Sequence, residues 1–123
     1  MRLLVFGDRN WEDPKRVEFM ILGYWDQFGC YEDEFVVISG GAPGADTHAR
    51  EACEKHNFDF IEYPAKWNIY GRAAGIIRNQ QMIDEGKPTD GIGFHKDISN
   101  SKGSKDMLQR LTKHGIPCHI IEN

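Results

Sequence analysis

The sequence predicts an α/β fold, a single Rossmann-like three-layer domain in which a five-stranded, mostly parallel sheet carries helices on both faces. Three observations predict it. Apolar runs of strand length alternate with segments of helical period along the 123 residues, in the order βαβαβαβαβ. The second apolar run, Phe35-Val36-Val37-Ile38, leads into a glycine-rich turn, Ser39-Gly40-Gly41-Ala42-Pro43-Gly44-Ala45-Asp46, that opens an Ala-rich helical stretch. The strands are apolar without strict alternation, as expected when right-handed crossovers bury both faces of a parallel sheet.

The first strand covers residues 3–6. The first helix starts at Asp13-Pro14, an N-cap followed by proline at the first helical position, and Gly29 ends it. Val17, Met20, Ile21, Tyr24 and Phe28 share one side of it. The second strand covers 35–39, and the second helix runs from about 44 to 56, where Ala45, Ala49, Ala52 and Cys53 allow close packing on the sheet. The third strand covers 58–63, and the third helix runs from about 72 to 85, stopping at Gly86-Lys87-Pro88. The fourth strand covers 91–95. It precedes a helix over 104–114, with Met107, Leu108 and Leu111 inward and Gly115 past its end. The fifth strand covers 117–121.

The length suits one domain over residues 1–123, long enough to bury a core. No apolar run approaches the ~20 residues of a membrane span, so a soluble, cytoplasmic protein with no membrane partner is expected. Cys30, Cys53 and Cys118 form no C-x-x-C pair and are odd in number, which argues against a disulfide framework or a zinc site. Net charge is −4 and the isoelectric point is near 5.7, against a surface built for duplex nucleic acid. A local basic spot survives that balance, because Lys66, Arg72 and Arg78 surround Trp67 and Tyr70.

Open parallel sheets bind ligands beyond the carboxyl ends of their strands, near the switch in strand order. The loops expected there are 7–13, 40–46, 64–71 and 96–103. In the second of them, a strand that stops in Gly40 and Gly41 and restarts as a helix aims backbone N–H groups and the positive helix end at one point, where an anion should sit. Gly40, Gly41, Ala42, Gly44 and Ala45 are the candidate phosphate-side residues, with glycine permitting close approach. The turn lacks the Lys-Ser/Thr of a P-loop, and its glycine spacing differs from G-x-G-x-x-G, which disfavours ATP hydrolysis and ordinary NAD binding. The alternative is a tight β-to-α connection without a ligand.

Gly7-Asp8-Arg9-Asn10-Trp11 follows the first strand. Gly7 can admit a ligand to the backbone, Asp8 suits a ribose hydroxyl or metal-bound water, and Arg9 suits phosphate. Trp11 offers a flat face for a base or sugar, or else caps the core. In Gly71-Arg72-Ala73-Ala74-Gly75-Ile76-Ile77-Arg78-Asn79-Gln80-Gln81-Met82, Gly75 costs about 1 kcal/mol against alanine inside a helix. A groove there would be flanked by Arg78 and Asn79 on neighbouring turns, with Arg72 near the helix start. Otherwise Gly75 serves a helix contact and Arg78 pairs with Asp84 or Glu85. Gly103 and Ser104 open the last helix as a second anion site or a simple N-cap. Asp46 and His48 lie near the second helix start, within reach of a ligand or metal, yet no metal signature appears.

The motifs Val5-Phe6-Gly7-Asp8-Arg9-Asn10-Trp11, Gly40-Gly41-Ala42-Pro43-Gly44-Ala45-Asp46 and the Gly71 to Met82 segment, in that order, resemble the YspA/YpsA-related branch of the SLOG superfamily. The resemblance spans nearly the whole chain. It implies a Rossmann-like domain associated with nucleotides and nucleotide-derived ligands, related to the lonely-guy enzymes, which remove the base from nucleoside 5′-monophosphates, and to the DNA-binding DprA proteins. By that similarity Gly40, Gly41, Gly44 and Asp46 match the phosphate-side loop, and Arg78 matches the arginine of the lonely-guy helix. Asn79 stands where those enzymes have lysine. Their Pro-Gly-Gly-x-Gly-Thr motif and following acid are reduced here to Lys102-Gly103-Ser104-Lys105-Asp106.

The expected function is binding of a nucleotide or phosphoribosyl compound, as a sensor or processing domain. Phosphate would lie over the diglycine turn near Arg78, with Asp8 or Asp46 on ribose and Trp11 or Trp67 over the base. One alternative is N-glycosidic cleavage of a nucleoside 5′-monophosphate, for which Asp106 and Asp8 are the catalytic candidates and Asp46 a third carboxylate. Another is DprA-like binding of single strands, which the acidic balance disfavours. No motif demands a cofactor; Mg2+ is the one left open. A homo-oligomer is left open too, with Phe19 or Trp25 on the first helix as a candidate face.

Overall fold

The strand order β3-β2-β1-β4-β5 in the computed structural model, which describes residues 1–123, reverses direction at β1. The five strands are β1 (Arg2–Gly7), β2 (Val36–Ser39), β3 (Asp59–Glu62), β4 (Asp90–Phe94) and β5 (Cys118–Ile121). All neighbouring pairs are parallel, in registers such as Leu4 with Ile38, Val5 with Ile92 and Gly93 with Ile120. The chain steps outward from β1 to β3, then crosses back to place β4 on the other side of β1. The switch point therefore lies between the carboxyl ends of β1 and β4, where ligands of such sheets bind.

The helices are α1 (Pro14–Gln27), α2 (Ala45–His56), α3 (Trp67–Tyr70), α4 (Ala74–Asp84) and α5 (Gly103–Lys113). They divide between the two faces because successive strand residues point to opposite sides. Leu3 and Val5 join a core with Val17, Ile21, Ala45, Ala49 and Cys53 from α1 and α2. Leu4 and Phe6 join a second core with Met82, Ile83, Met107 and Leu111 from α4 and α5. Asp13 caps α1 by accepting the Arg16 N–H at 3.0 Å, with Pro14 just inside.

One helical boundary departs from expectation. The helix predicted from residue 72 begins at Ala74, after a separate turn of helix at Trp67–Tyr70 and a 3-10 turn at Gly71–Ala73. Gly71 separates them with φ of 56°, a conformation that ends α3 and that glycine adopts without strain. Arg72 is consequently exposed in the 3-10 turn instead of standing in the first turn of an α-helix. No helix is long and apolar enough to cross a membrane.

Candidate functional site

The turn between β2 and α2 is braced from within. Ala42 donates its N–H to Asp46 Oδ2 at 3.0 Å, and Thr47 Oγ1 donates to the Ala42 carbonyl at 2.9 Å. Ala45 donates its N–H to the Asp8 carbonyl at 3.1 Å. The expected donors Ala42 and Ala45 are thus engaged inside the protein. The N–H groups of Gly41, Asp46 and Thr47 reach no backbone carbonyl and remain at the amino end of α2.

Two glycines expected to admit a ligand admit backbone instead. A Cβ on Gly7 would lie 2.3 Å from the Phe94 carbonyl oxygen and 2.9 Å from Ala45 Cβ. A Cβ on Gly44, where φ is 77°, would lie 2.3 Å from the Asp8 carbonyl oxygen. These contacts close the β1 loop over the start of α2. By contrast, the space beside Gly40 and Gly41 holds the ends of the Arg78 and Glu62 side chains, and a Cβ added to Gly41 would lie 2.8 Å from Glu62 Cδ.

Arg78 reaches the turn from α4. Its Nη1 donates to the Gly40 carbonyl at 2.6 Å and its Nε donates to Asn79 Oδ1 at 3.1 Å. The alternative pairing with Asp84 or Glu85 does not form. Burial draws its pKa down, and the neighbouring Asp46 carboxylate pulls it back up. A guanidinium nonetheless stays charged in this range.

Asp46 is 6% exposed. Its Oδ2 accepts from Ala42, whereas its Oδ1 is buried without a partner. The nearby Ser39 hydroxyl uses its single proton on the Val5 carbonyl, at 3.0 Å. Burial raises the Asp46 pKa to about 6, against the lowering effects of the Ala42 N–H and Arg78. Glu62 adds a further raising influence, and its own Oε1 lies 3.9 Å from Arg50 Nη1. The turn is therefore bordered by both a cation and carboxylates, a combination suited to an anion joined to hydroxyl groups.

Asn79 is buried and bridges three segments. Its Oδ1 accepts from Arg78, and its Nδ2 donates to the Gly103 carbonyl at 3.2 Å and to Asp106 Oδ2 at 3.0 Å. The same Asp106 oxygen accepts from Arg110 Nε at 2.8 Å, and Arg110 Nη1 donates to Gln80 Oε1 at 2.6 Å. Gly103 thus meets Asn79 through its carbonyl, while its own N–H reaches no backbone carbonyl. Ser104, also buried, donates its N–H to Ser101 Oγ at 3.1 Å, so that Ser101 is the capping hydroxyl. Asp106 Oδ2, holding two donors, braces α4 against α5, while its Oδ1 accepts no hydrogen bond.

Trp11 is the clearest correction. It is 5% exposed, packs edge-on against Phe94 with ring centroids 5.5 Å apart, and donates its Nε1–H to the Asp13 carbonyl at 3.0 Å. Core burial leaves no face for a base. Arg9 is exposed on the loop before it, and Asp8 uses Oδ1 to accept the Asn10 N–H at 2.9 Å. His48 turns away from the diglycine turn: its Nε2 sits 2.8 Å from the Trp11 carbonyl oxygen, while Nδ1 is buried without a partner. No group of three or more His, Cys, Asp or Glu side chains is placed to hold a metal ion.

Beside Arg78 lies a groove of about 560 Å³ along the outer side of α4, lined by Pro64, Lys66, Tyr70, Ile77, Arg78 and Gln81 among others. Gly75 does not open it; a Cβ there would make an ordinary 3.5 Å contact with Trp67 Cη2. Sequence reasoning missed Glu62, Gln80 and Arg110. Glu62 ends the strand beside β2, a position legible only once the strand order is known.

A family model described as the YspA, cpYpsA-related SLOG family matches residues 1–70. The Gene 61 protein of Mycobacterium phage D29 is 30% identical over 128 residues, covering 94% of this chain and 92% of that protein. Among solved structures, the DNA processing protein A (DprA) of Streptococcus pneumoniae superposes with a TM-score of 0.73 at 19% identity, over 99% of this chain. That likeness is one of fold, and the chain spans 50% of the length of the DprA chain.

Proposed function

From the membership of this chain in the YspA, cpYpsA-related SLOG family, we propose that it binds a nucleotide or related phosphoribosyl compound at the carboxyl edge of its sheet. The observation that carries the reading is Arg78 Nη1 standing 2.6 Å from the Gly40 carbonyl, which brings a cation from α4 to the diglycine turn. The phosphate takes the N–H groups of Gly41, Asp46 and Thr47 at the positive end of α2, and the Arg78 fork turns from the carbonyl to the phosphate oxygens. The guanidinium is the flexible partner in that contact, so the exchange leaves the backbone in place.

Asp46 supplies the second half of the recognition. Its unpaired Oδ1 accepts from a ribose hydroxyl when ionised, and below its pKa it donates to an oxygen of the ligand. A ligand with phosphate alone leaves that oxygen unpartnered, which favours a phosphorylated sugar over inorganic phosphate. Isothermal titration with inorganic phosphate, ribose 5-phosphate and nucleoside 5′-monophosphates tests this. Binding is expected for the phosphoribosyl members and weaker for phosphate; absence of heat with every member, on folded protein, excludes the reading.

The same unpaired oxygen favours one second reading, cleavage of the N-glycosidic bond of a nucleoside 5′-monophosphate. An oxocarbenium-like transition state is stabilised by a carboxylate beside the anomeric carbon, and Asp46, Asp8 and Asp106 each keep an oxygen for it. Release of free base from the monophosphates distinguishes an enzyme from a binding domain. Release that persists when Asp46, Asp8 and Asp106 are all replaced by asparagine excludes this mechanism.

A further inference from the structure

The segment from α3 through the first turns of α4 exposes an unusual density of large apolar side chains. Trp67 is 58% exposed, Ile69 69%, Tyr70 46%, Ile76 50% and Ile77 41%. They lie within eleven residues, and Trp67 leans over Gly75 so that α3 and α4 present adjoining surface. Together they show on the order of 500 Å² to solvent, a large part of the ~800 Å² that each partner contributes to a standard interface. A patch of this size lies in the upper part of the range for the largest patch on a monomer, and such patches are often functional.

The charges bordering the patch have opposite signs at opposite ends. Lys66 and Arg72 lie before the start of α4, and Asp84 and Glu85 lie at its end. Asp84 uses Oδ1 to accept from Gln80 Nε2 at 2.9 Å, which leaves Oδ2 for another partner. A surface that is apolar in the middle, cationic at one end and anionic at the other is complementary to itself under a two-fold rotation.

We propose that a second copy of this chain covers this face, through antiparallel packing of α4 against its symmetry mate about an axis near Ile77. Ile77 then meets its counterpart, and the Arg72 end of one copy lies level with the Asp84 end of the other. The spacing agrees: Arg72 lies about 8–9 Å from Ile77 along the chain axis and Asp84 about 10–11 Å, using the rise of 3-10 and α-helical residues. Long side chains bridge the remainder. The partner also roofs the groove that holds Tyr70 and Arg78, so each copy closes the side of the other's site. The α1 face is the weaker candidate, since Trp25 packs against Phe35 and Phe58, with ring centroids 5.4 Å apart in each case.

Sedimentation velocity on the full chain across micromolar concentrations tests the proposal. The expected result is a dimer that Ile77→Glu converts to monomer with unchanged circular dichroism. Ile69→Glu provides a second probe should the first variant fail to fold. Arg72→Glu and Asp84→Arg should each weaken dimerisation about 10-fold, and the double charge swap should restore it. A monomer at all concentrations overturns the proposal, as does a dimer insensitive to Ile77→Glu and Ile69→Glu but dissociated by Phe19→Glu. Failure of the double swap to recover affinity overturns the antiparallel geometry.

Discussion

Asn79 donates from Nδ2 to Asp106 Oδ2 across 3.0 Å, and this bond ties α4 to α5 one residue away from the arginine that reaches the diglycine turn. The chain of bonds runs from the Gly40 carbonyl through Arg78, Asn79 and Asp106 to Arg110 and Gln80. An amide at this position can accept from one side and donate to the other, which neither a lysine nor a carboxylate does. Removing it leaves the Gly103 carbonyl without its Asn79 donor and releases the Arg78 fork. Asn79→Ala should lower stability by about 2–3 kcal/mol in urea denaturation. A loss under about 0.5 kcal/mol would show that the bridge is not formed in solution.

The guanidinium of Arg78 is expected to matter for its fork as well as its charge. Arg78→Ala should weaken ribose 5-phosphate binding by about 10- to 100-fold, and Arg78→Lys should recover only part of it, because an ammonium cannot make two parallel bonds. Titration calorimetry reads both. Equal affinity for the wild type and the alanine variant would remove Arg78 from the site.

Gly40 and Gly44 should respond differently to alanine. At Gly44 the φ of 77° and the Asp8 carbonyl that an added Cβ would strike are both set by backbone, so Gly44→Ala should cost about 3 kcal/mol or more. A Cβ on Gly40 meets the end of a flexible arginine. Gly40→Ala should therefore fold with a loss of about 1 kcal/mol while displacing Arg78 and weakening ligand binding. Thermal melts beside calorimetry separate the two effects, and the reverse order of stability would contradict this geometry.

Burial raises the Asp46 pKa from its ordinary 3.8 to about 6. Between those values the folded protein keeps a proton that the unfolded chain has released, so this group's contribution to stability is full below pH ~4 and is lost as pH rises to ~6. The loss amounts to about 3 kcal/mol. Asp46→Asn should remove it, so that the stability difference between variant and wild type grows in the variant's favour from pH 4 to pH 7. A difference independent of pH would mean that Asp46 titrates normally.

Trp11→Phe provides the control for a residue placed in the core. Loss of its bond to the Asp13 carbonyl and of part of its packing should cost about 1–2 kcal/mol, with ribose 5-phosphate affinity unchanged. A large loss of affinity at unchanged stability would return the indole to the ligand.

By itself the sequence determined the five strands, every helix but the short α3, their alternation and hence the parallel sheet, because periodicity, caps and turn residues act over a few neighbouring positions. It also singled out the diglycine turn and Arg78, whose residue types have few uses at such places. Tertiary structure alone decided which candidates met. Arg78 reaches Gly40 across 38 positions of sequence. Gly7 and Gly44 make room for backbone, Trp11 faces Phe94, and Asp106 is held by Asn79 and Arg110. Those outcomes depend on strand order and on how far each loop folds over the sheet. No local pattern encodes that, since the same glycine or tryptophan satisfies a packing contact as readily as a ligand.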